Sequence, residues 1–203
     1  MKIKLFLFSV LLLLLYVTGC GKKAVIRKYY VLEPDSLITN QDMAISAFLP
    51  YNVDVREFTI AKAFAQPRIA VRLKSHKINY YYYHLWATHP SSAITYMVFR
   101  LVEGCGMFKK TNLGFSVEAD YIITGNIDKL EVIEKKNKLL AHLDMSFKLI
   151  DNRRDEVVFR KSYNHIVPVK DKSINDFAAE ISNLLKQNTT DYLMQIYKQL
   201  SSK

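Results

Sequence analysis

Hydrophobic and polar residues alternate with two different periods along the chain. A period of two, typical of a strand with one buried face, is clearest at residues 139–150. There the odd positions from Leu139 to Leu149 are apolar and the even positions from His142 to Lys148 are polar. Alternation or a β-rich composition predicts six further strands, at residues 29–34, 51–61 (with a bulge), 68–74, 78–87, within 119–137 and 157–167. Residues 68–74 and 78–87 predict a hairpin, and residues 36–50 are rich in turn residues and predict a loop.

Two segments have the 3.6-residue period of a helix instead. The first begins after Pro90, with Ser91 or Ser92 as the expected N-cap. Its apolar positions predict the face that packs on the sheet: Ile94, Met97, Val98, Leu101, Val102 and Cys105. The second runs from Ser173 to about residue 200 and begins with a capping-box pattern at Ser173 and Asp176. Residues 188–190 (Asn-Thr-Thr) interrupt its pattern, so the segment predicts either one kinked helix or two.

The predicted order is β-β-β-β-α-β-β-β-α. Strands and helices in this arrangement bury their apolar faces by packing against each other in layers. We therefore predict an α+β fold, a two-layer sandwich with a mostly antiparallel sheet and two helices on one face. No repeat or linker interrupts residues 28–203, which predict a single domain of ordinary size.

The N-terminus predicts a lipoprotein signal. Lys2 and Lys4 precede an apolar run, residues 5–17, which spans only about 20 Å as a helix and is too short for a stable membrane span. The run ends in Val-Thr-Gly-Cys at residues 17–20, a sequence that resembles a bacterial lipobox. We therefore expect residues 1–19 to be a cleaved signal peptide and Cys20 to carry the acyl chains. An uncleaved anchor is the alternative.

Residues 20–27 then form a short lipidated tether. Its seven residues after the cysteine reach at most about 25 Å, so the domain must stay close to its membrane. Gly21 follows the cysteine, where an Asp is the familiar inner-membrane retention signal of enteric bacteria. We predict an outer-membrane anchor that faces the periplasm, with the inner membrane as the alternative.

Cysteine content and charge restrict the expected disulfides and the class of partner. Cys105 is the only cysteine besides Cys20, so an exported domain with acylated Cys20 folds without an internal disulfide, and Cys105 is expected in the core. Without its signal peptide the chain keeps 27 basic and 19 acidic residues. For an exported, lipid-anchored domain this excess of positive charge favours binding to an anionic membrane or to acidic partners over binding to nucleic acid. The alternative is that the lysines and arginines form an ordinary solvated surface.

No residue pattern indicates catalysis, a cofactor or a metal site. The chain lacks the GxSxG, HExxH, P-loop and GxGxxG motifs. His76, His84 and His89 are close in sequence but are expected in a turn, a strand and a position before proline. Asp120 and Asp128 are eight strand residues, about 26 Å, apart, which is too far for paired acid-base chemistry. We predict that the protein is not an enzyme.

The tyrosine-rich strand "INYYYYHLWA" at residues 78–87 is the candidate binding surface. Alternation places Tyr82 and Trp86 on the face of Ile78, which we expect in the core. Tyr81 and Tyr83 then share a face with polar Asn79 and are predicted to be exposed and to bind a partner. The alternative is that the segment 36–50 covers this face.

Three stretches resemble the auxiliary lipoproteins of ABC-type transport systems: "KYYVLEP", "VDVREFTIAKAF" and the long run from "RIAVRLK" to "GCGMFKK". The resemblance covers roughly residues 28–185. It implies a non-enzymatic accessory role beside MCE-domain proteins and ABC transporter components that move lipids between the inner and outer membranes. The alternative hypothesis is that the protein is a structural or assembly lipoprotein that supports an outer-membrane complex, such as a barrel for lipopolysaccharide.

Overall fold

In the part of the chain that the structure describes, the fold is α+β, with a large and mostly antiparallel sheet and two helices. The computed structural model describes residues 26–38 and 48–201. Within these residues the elements, in chain order, are β1 (Lys28–Tyr30), β2 (Leu49–Val55), β3 (Thr59–Ile60), β4 (Arg68–Lys74), β5 (Lys77–Trp86), α1 (Pro90–Gly104), β6 (Phe108–Leu113), β7 (Tyr121–Lys135), β8 (Lys138–Asp151), β9 (Glu156–Pro168) and α2 (Ile174–Ser201).

Strand β7 organises the sheet. One edge of β7 pairs with β8 over its whole length, and β8 pairs in turn with β9, so the second half of the chain forms an antiparallel meander. The other edge of β7 pairs with three shorter strands one after another, β2, then β3, then β4. Strands β5 and β1 extend the sheet beyond β4, and β6 extends it beyond β2.

The predicted hairpin is confirmed, since β4 and β5 pair antiparallel. The sheet nevertheless contains parallel pairings that the alternation pattern could not show: β1 with β5, β2 with β6, and β2, β3 and β4 with β7. These pairings need long connections, and helix α1, which follows β5 in the chain, lies within four of the five.

Two predicted strands differ in extent from those observed, and one observed strand was not predicted. The first strand covers only Lys28–Tyr30, and the segment predicted as one bulged strand, 51–61, forms the separate strands β2 and β3. Strand β6 was not predicted. Its sequence, Phe-Lys-Lys-Thr-Asn-Leu, lacks an apolar alternation because β6 lies at the sheet edge, where β2 is its one partner among the described strands.

Helix α1 buries the face that its sequence predicted. Ile94, Met97, Val98, Leu101 and Val102 are all buried. The predicted serine cap is wrong, because the N-cap residue is His89 and its side chain makes no capping hydrogen bond. Pro occupies the first helical position instead, where a missing N–H has no cost and the fixed φ favours the helix.

Helix α2 is continuous from Ile174 to Ser201, so the interruption at residues 188–190 does not divide it. The Ser173 hydroxyl accepts a hydrogen bond from the Asp176 N–H at 3.0 Å, as the capping pattern predicted. Thr189 and Thr190 remain in the helix by donating their hydroxyls to the carbonyls four residues earlier.

Buried apolar residues of the long strands and of the two helices form one core cluster. The alternating residues of β8 from Ala141 to Leu149 are buried, and the Phe147 ring stacks on Tyr192 of α2 at 4.7 Å between centroids. At Gly125 of β7 an added Cβ would lie within 3.0 Å of the Phe58 ring and the Ser146 carbonyl, so only glycine allows this packing. The two-layer arrangement with both helices on one face stays a prediction.

Among the described residues, neither helix is long and apolar enough to cross a membrane.

Candidate functional site

The tyrosine strand β5 contains a bulge that breaks its alternation. Tyr80 pairs with Ala70 and Leu85 pairs with Arg68. Between these two pairs, four residues of β5 lie opposite a single residue of β4. Three extra residues therefore bulge out of the ladder between Tyr80 and Leu85. The period of two that we assumed from Ile78 to Trp86 is lost in this bulge.

Trp86 is in the core, as predicted, but Tyr82 is not. Trp86 is 4 % exposed and its ring lies 5.9 Å from Phe177 of α2. Tyr82 is 57 % exposed, and the prediction that it packs in the core is wrong because the bulge turns it outward. Its ring contacts Tyr83 edge-on at 4.7 Å, and the Arg68 guanidinium lies 5.1 Å from its centre. We name Arg68, Tyr82 and Tyr83 the tyrosine surface.

The two tyrosines predicted to bind a partner have different environments. Tyr83 is 39 % exposed and belongs to the tyrosine surface. Tyr81 is half-buried, packs against the core and contacts His84 edge-on at 5.4 Å. Burial, followed by the negative charge of Glu134, raises the pKa of Tyr81. Tyr81 also lines a surface pocket of about 340 Å³ together with Lys135, Lys136, Lys138 and Lys172.

The edge strand β1 pairs with the tyrosine strand β5, and its Tyr30 contacts His84 of β5. The Tyr30 hydroxyl and His84 Nδ1 are 2.6 Å apart, and the two rings stack at 5.6 Å between centroids. Burial, followed by the charge of Lys28, lowers the pKa of His84. Tyr29, opposite Leu85, is exposed and adds a further aromatic ring beside the tyrosine surface.

The segment 36–50 does not cover the tyrosines with the part that the structure describes. Residues 32–37 line a groove with Tyr96, Met97 and Arg100 of α1, and Ser36 bonds to Lys186 of α2. Residues 39–47 lie outside the described residues.

The histidines and carboxylates that the sequence singled out are not brought together. His76 contacts Ser75, His84 contacts Tyr30 and His89 contacts Ser91. Asp120 accepts hydrogen bonds from the Asn52 N–H and from Arg153, whereas Asp128 accepts one from Asn126. Within the described part of the chain no three histidine, cysteine or acidic side chains come close enough to hold a metal ion.

A buried polar cluster was missed by sequence reasoning. Glu131 of β7 is fully buried, and one of its oxygens accepts hydrogen bonds from Arg72 at 2.7 Å and from His142 at 3.0 Å. The second oxygen has no hydrogen-bond partner in the described residues. Burial alone raises the pKa of Glu131, but the hydrogen bonds from His142 and Arg72 outweigh it, and the net effect lowers that pKa. Three residues on three different strands form this cluster, so no local pattern could reveal it.

An exposed apolar loop was also missed, because the preceding strand β6 was not predicted. Leu113, Phe115 and Val117 are all exposed. The buried carboxylate of Asp54 holds the loop by accepting hydrogen bonds from the Ser116 N–H at 2.6 Å and from the Asn112 side chain at 3.3 Å. These three exposed apolar side chains, one at the end of β6 and two in the loop that follows, form a second candidate contact surface.

Cys20, the predicted lipidation residue, lies outside the described residues. Cys105 is the C-cap residue of α1 and is buried, and its thiol donates a hydrogen bond to the Val102 carbonyl at 3.0 Å.

Two solved structures share the fold of this chain. A Xanthomonas campestris protein of the DUF330 family is 19 % identical, with a TM-score of 0.69 over 85 % of this chain and 98 % of its own. The crystal structure of a second protein, titled as uncharacterized, is 8 % identical, with a TM-score of 0.62 over 84 % of this chain and 99 % of its own. At these identities the likeness concerns the fold alone. The search of curated proteins gave no match.

The family comparison is more specific. The family model described as "ABC-type transport auxiliary lipoprotein component" matches residues 30–191, which include every strand except the first two residues of β1 and all of α2 except its last ten residues. The match covers the hairpin, the tyrosine strand and helix α1, on which the sequence resemblance rested. The chain therefore belongs to the ABC-type transport auxiliary lipoprotein family.

Proposed function

We propose that this protein is a non-enzymatic, lipid-anchored accessory subunit of a lipid transport system of the MCE and ABC type. In this role it docks a partner protein, an MCE-domain protein, at the membrane surface between the inner and outer membranes. The observation that carries the proposal is the family match over residues 30–191. The lipobox at residues 17–20 supports it, because it would hold the domain within about 25 Å of its membrane.

The fold suits docking if both helices cover one face of the sheet as a second layer. The stacking of Phe147 on Tyr192 and the packing of Trp86 against Phe177 support this arrangement for α2. For α1, the Thr95 hydroxyl accepts a hydrogen bond from the Phe58 N–H, and the Phe58 ring contacts the same Phe147. The opposite face and the strand edges would then remain accessible to a partner.

We place the partner contact on the tyrosine surface, and retain half-buried Tyr81 beside Tyr83 as a contact residue. Exposed tyrosines suit interfaces because their rings contribute contact area and their hydroxyls remain hydrogen-bonded to water. Arg68 adds a cation against the Tyr82 ring, and Arg and Tyr are both frequent among residues that dominate binding energy.

The test is co-purification of the acylated protein with an MCE-domain protein of the same organism. Changing Tyr82 and Tyr83 together to Ser should weaken recovery of the partner about 30-fold or more, as loss of a residue worth about 2 kcal/mol does. The matched control is Tyr96→Ser, which removes an exposed tyrosine from α1 and should leave recovery unchanged. Unchanged recovery for the double variant would mean that the partner binds elsewhere. Recovery of an outer-membrane assembly complex in place of transporter components would favour the structural role.

The lipid anchor has its own test. Cys20→Ala should leave an unprocessed precursor that does not incorporate labelled palmitate. A variant that is still cleaved and acylated would show that the lipoprotein assignment of Cys20 is wrong.

A further inference from the structure

One end of the molecule carries a concentration of lysines, which we name the lysine end. It consists of the β4–β5 turn, the β7–β8 turn and the connection from β9 to α2. Its seven lysines are all exposed: Lys74, Lys77, Lys135, Lys136, Lys138, Lys170 and Lys172. Only Glu134 and Asp171 carry negative charge in the same segments.

The pairing of the strands brings these three segments to the same end. Lys74 pairs with Lys77 and Lys135 pairs with Lys138, so each pair closes a hairpin. The two hairpins end side by side because β4 runs parallel to β7. The third segment joins them where the Val169 N–H donates to the Leu139 carbonyl at 2.9 Å.

The lysine end differs from the opposite end in how its charges are compensated. None of its seven lysines has a carboxylate within 4.0 Å in the described part of the chain. At the β8–β9 turn, by contrast, Arg153 lies 3.0 Å from Asp120 and Arg154 lies 2.9 Å from Asp151. Uncompensated positive charge at one end favours an external anionic surface.

The direction of the N-terminal strand points the membrane tether toward the lysine end. Strand β1 runs parallel to β5, with Lys28 beside His84, so the chain that precedes β1 approaches from the side of the β4–β5 turn. Because β5 contains the bulge, the regular strand β4 measures this distance: the six residues from Arg68, opposite Leu85, to Lys74, opposite Lys77, span about 20 Å at strand rise. The seven residues between Cys20 and Lys28 reach up to about 25 Å when extended, which is enough to bring Cys20 to the lysine end.

We propose that the lysine end lies on the anionic phospholipid headgroups of the membrane to which the protein is anchored, and thereby fixes the orientation of the domain. This inference rests on the proposed acyl anchor at Cys20. Each lysine near an anionic bilayer strengthens binding about fivefold, and the attraction falls off within a Debye length. An orientation set in this way directs the opposite end and its exposed loop, with Phe115 and Val117, away from the membrane.

The test is lysine footprinting of the full, acylated protein on vesicles. The protein is reconstituted into neutral phosphatidylcholine vesicles and into vesicles that also contain phosphatidylglycerol, and the acetylation rate of each lysine is measured by mass spectrometry. On the anionic vesicles the lysine end should react about fivefold more slowly than on neutral vesicles, and high salt should abolish the difference. Lys109 and Lys110, on the edge strand β6, should react at the same rate on both.

Two double variants make the comparison specific. K135Q/K136Q should raise the reactivity of the other five lysines on anionic vesicles, whereas K109Q/K110Q, which removes the same charge from β6, should not. Both pairs are exposed, so thermal unfolding should remain unchanged. Equal rates on both vesicle types, equal protection on neutral vesicles, or equal effects of the two variants would each overturn the inference. Failure of the protein to float with neutral vesicles would instead show that the proposed anchor is wrong.

Discussion

At the scale of single residues, the buried carboxylate of Glu131 contributes to the stability of the fold through its hydrogen bonds with Arg72 and His142. A buried charge is costly unless charged or polar groups compensate it, and here Arg72 and His142 both bond to the same oxygen. The Arg72 side chain keeps 25 % of its surface exposed, so water weakens this ion pair relative to a fully buried one.

Glu131→Gln should destabilise the domain by about 2 kcal/mol at neutral pH, because two hydrogen bonds to a charged group become weaker ones to a neutral amide. The pKa of Glu131 is lower in the folded than in the unfolded protein. Its stabilising effect is therefore complete above the unfolded-state pKa of about 4.3 and is lost as the pH falls through the folded-state pKa. Urea unfolding of wild type and variant between about pH 7 and pH 3 should show the two stabilities converging at low pH. A constant difference across that range would contradict this role of the charge.

The Cys105 thiol should be unreactive in the folded protein. Burial raises its pKa to about 11, so only about one thiol in a thousand is ionised at pH 8. A water-soluble disulfide reagent should therefore leave the native protein unlabelled while it labels the urea-unfolded protein fully. Rapid labelling without urea would mean that the region around α1 opens readily.

At the scale of secondary structure, local pattern predicted the long elements well. Helix α1 and strand β8 have enough regularly spaced apolar residues to define their buried faces, and the β4–β5 hairpin and strands β7 and β9 were predicted as elements. Strand β6 was missed because an edge strand buries little and needs no such pattern. The bulge in β5 was missed for another reason: four consecutive tyrosines look alike on both faces, so only the pairing with β4 reveals the three extra residues. That bulge is why Tyr82, predicted in the core, belongs to the exposed site.

Helix α1 depends on its apolar face for stability. Leu101 is completely buried, so Leu101→Ala should lower the free energy of unfolding by about 2–5 kcal/mol, the range for large-to-small changes in a core. Tyr96→Ala on the exposed side of the same helix should change it by less than about 0.5 kcal/mol. Urea unfolding measures both. Similar small changes for the two variants would mean that the face does not pack as the structure shows.

At the scale of the whole molecule, the parallel pairing of β1 with β5 sets the direction from which the proposed membrane tether would enter the domain. It fixes the point and direction at which the tether enters the domain, and it places Tyr29 beside the tyrosine surface. The tether and its length stay predictions from sequence, and its direction could not be predicted, because β1 has only three residues and its partner is more than fifty residues away. The orientation that we propose for the charges and contact surfaces relative to the membrane therefore depends on the topology of the sheet.

The predicted acyl anchor at Cys20 is expected to lie in the outer membrane. Gly21 follows the predicted lipidated cysteine, and we expect the wild-type protein in the outer-membrane fraction of a density gradient. Gly21→Asp introduces the residue that retains lipoproteins of enteric bacteria in the inner membrane, and it should move the protein to the inner-membrane fraction. The substitution lies before the first strand, so the fold and the tether length stay the same and only sorting is tested. Wild type in the inner-membrane fraction would contradict the predicted localisation. An unchanged position for Gly21→Asp would show that this residue does not decide it.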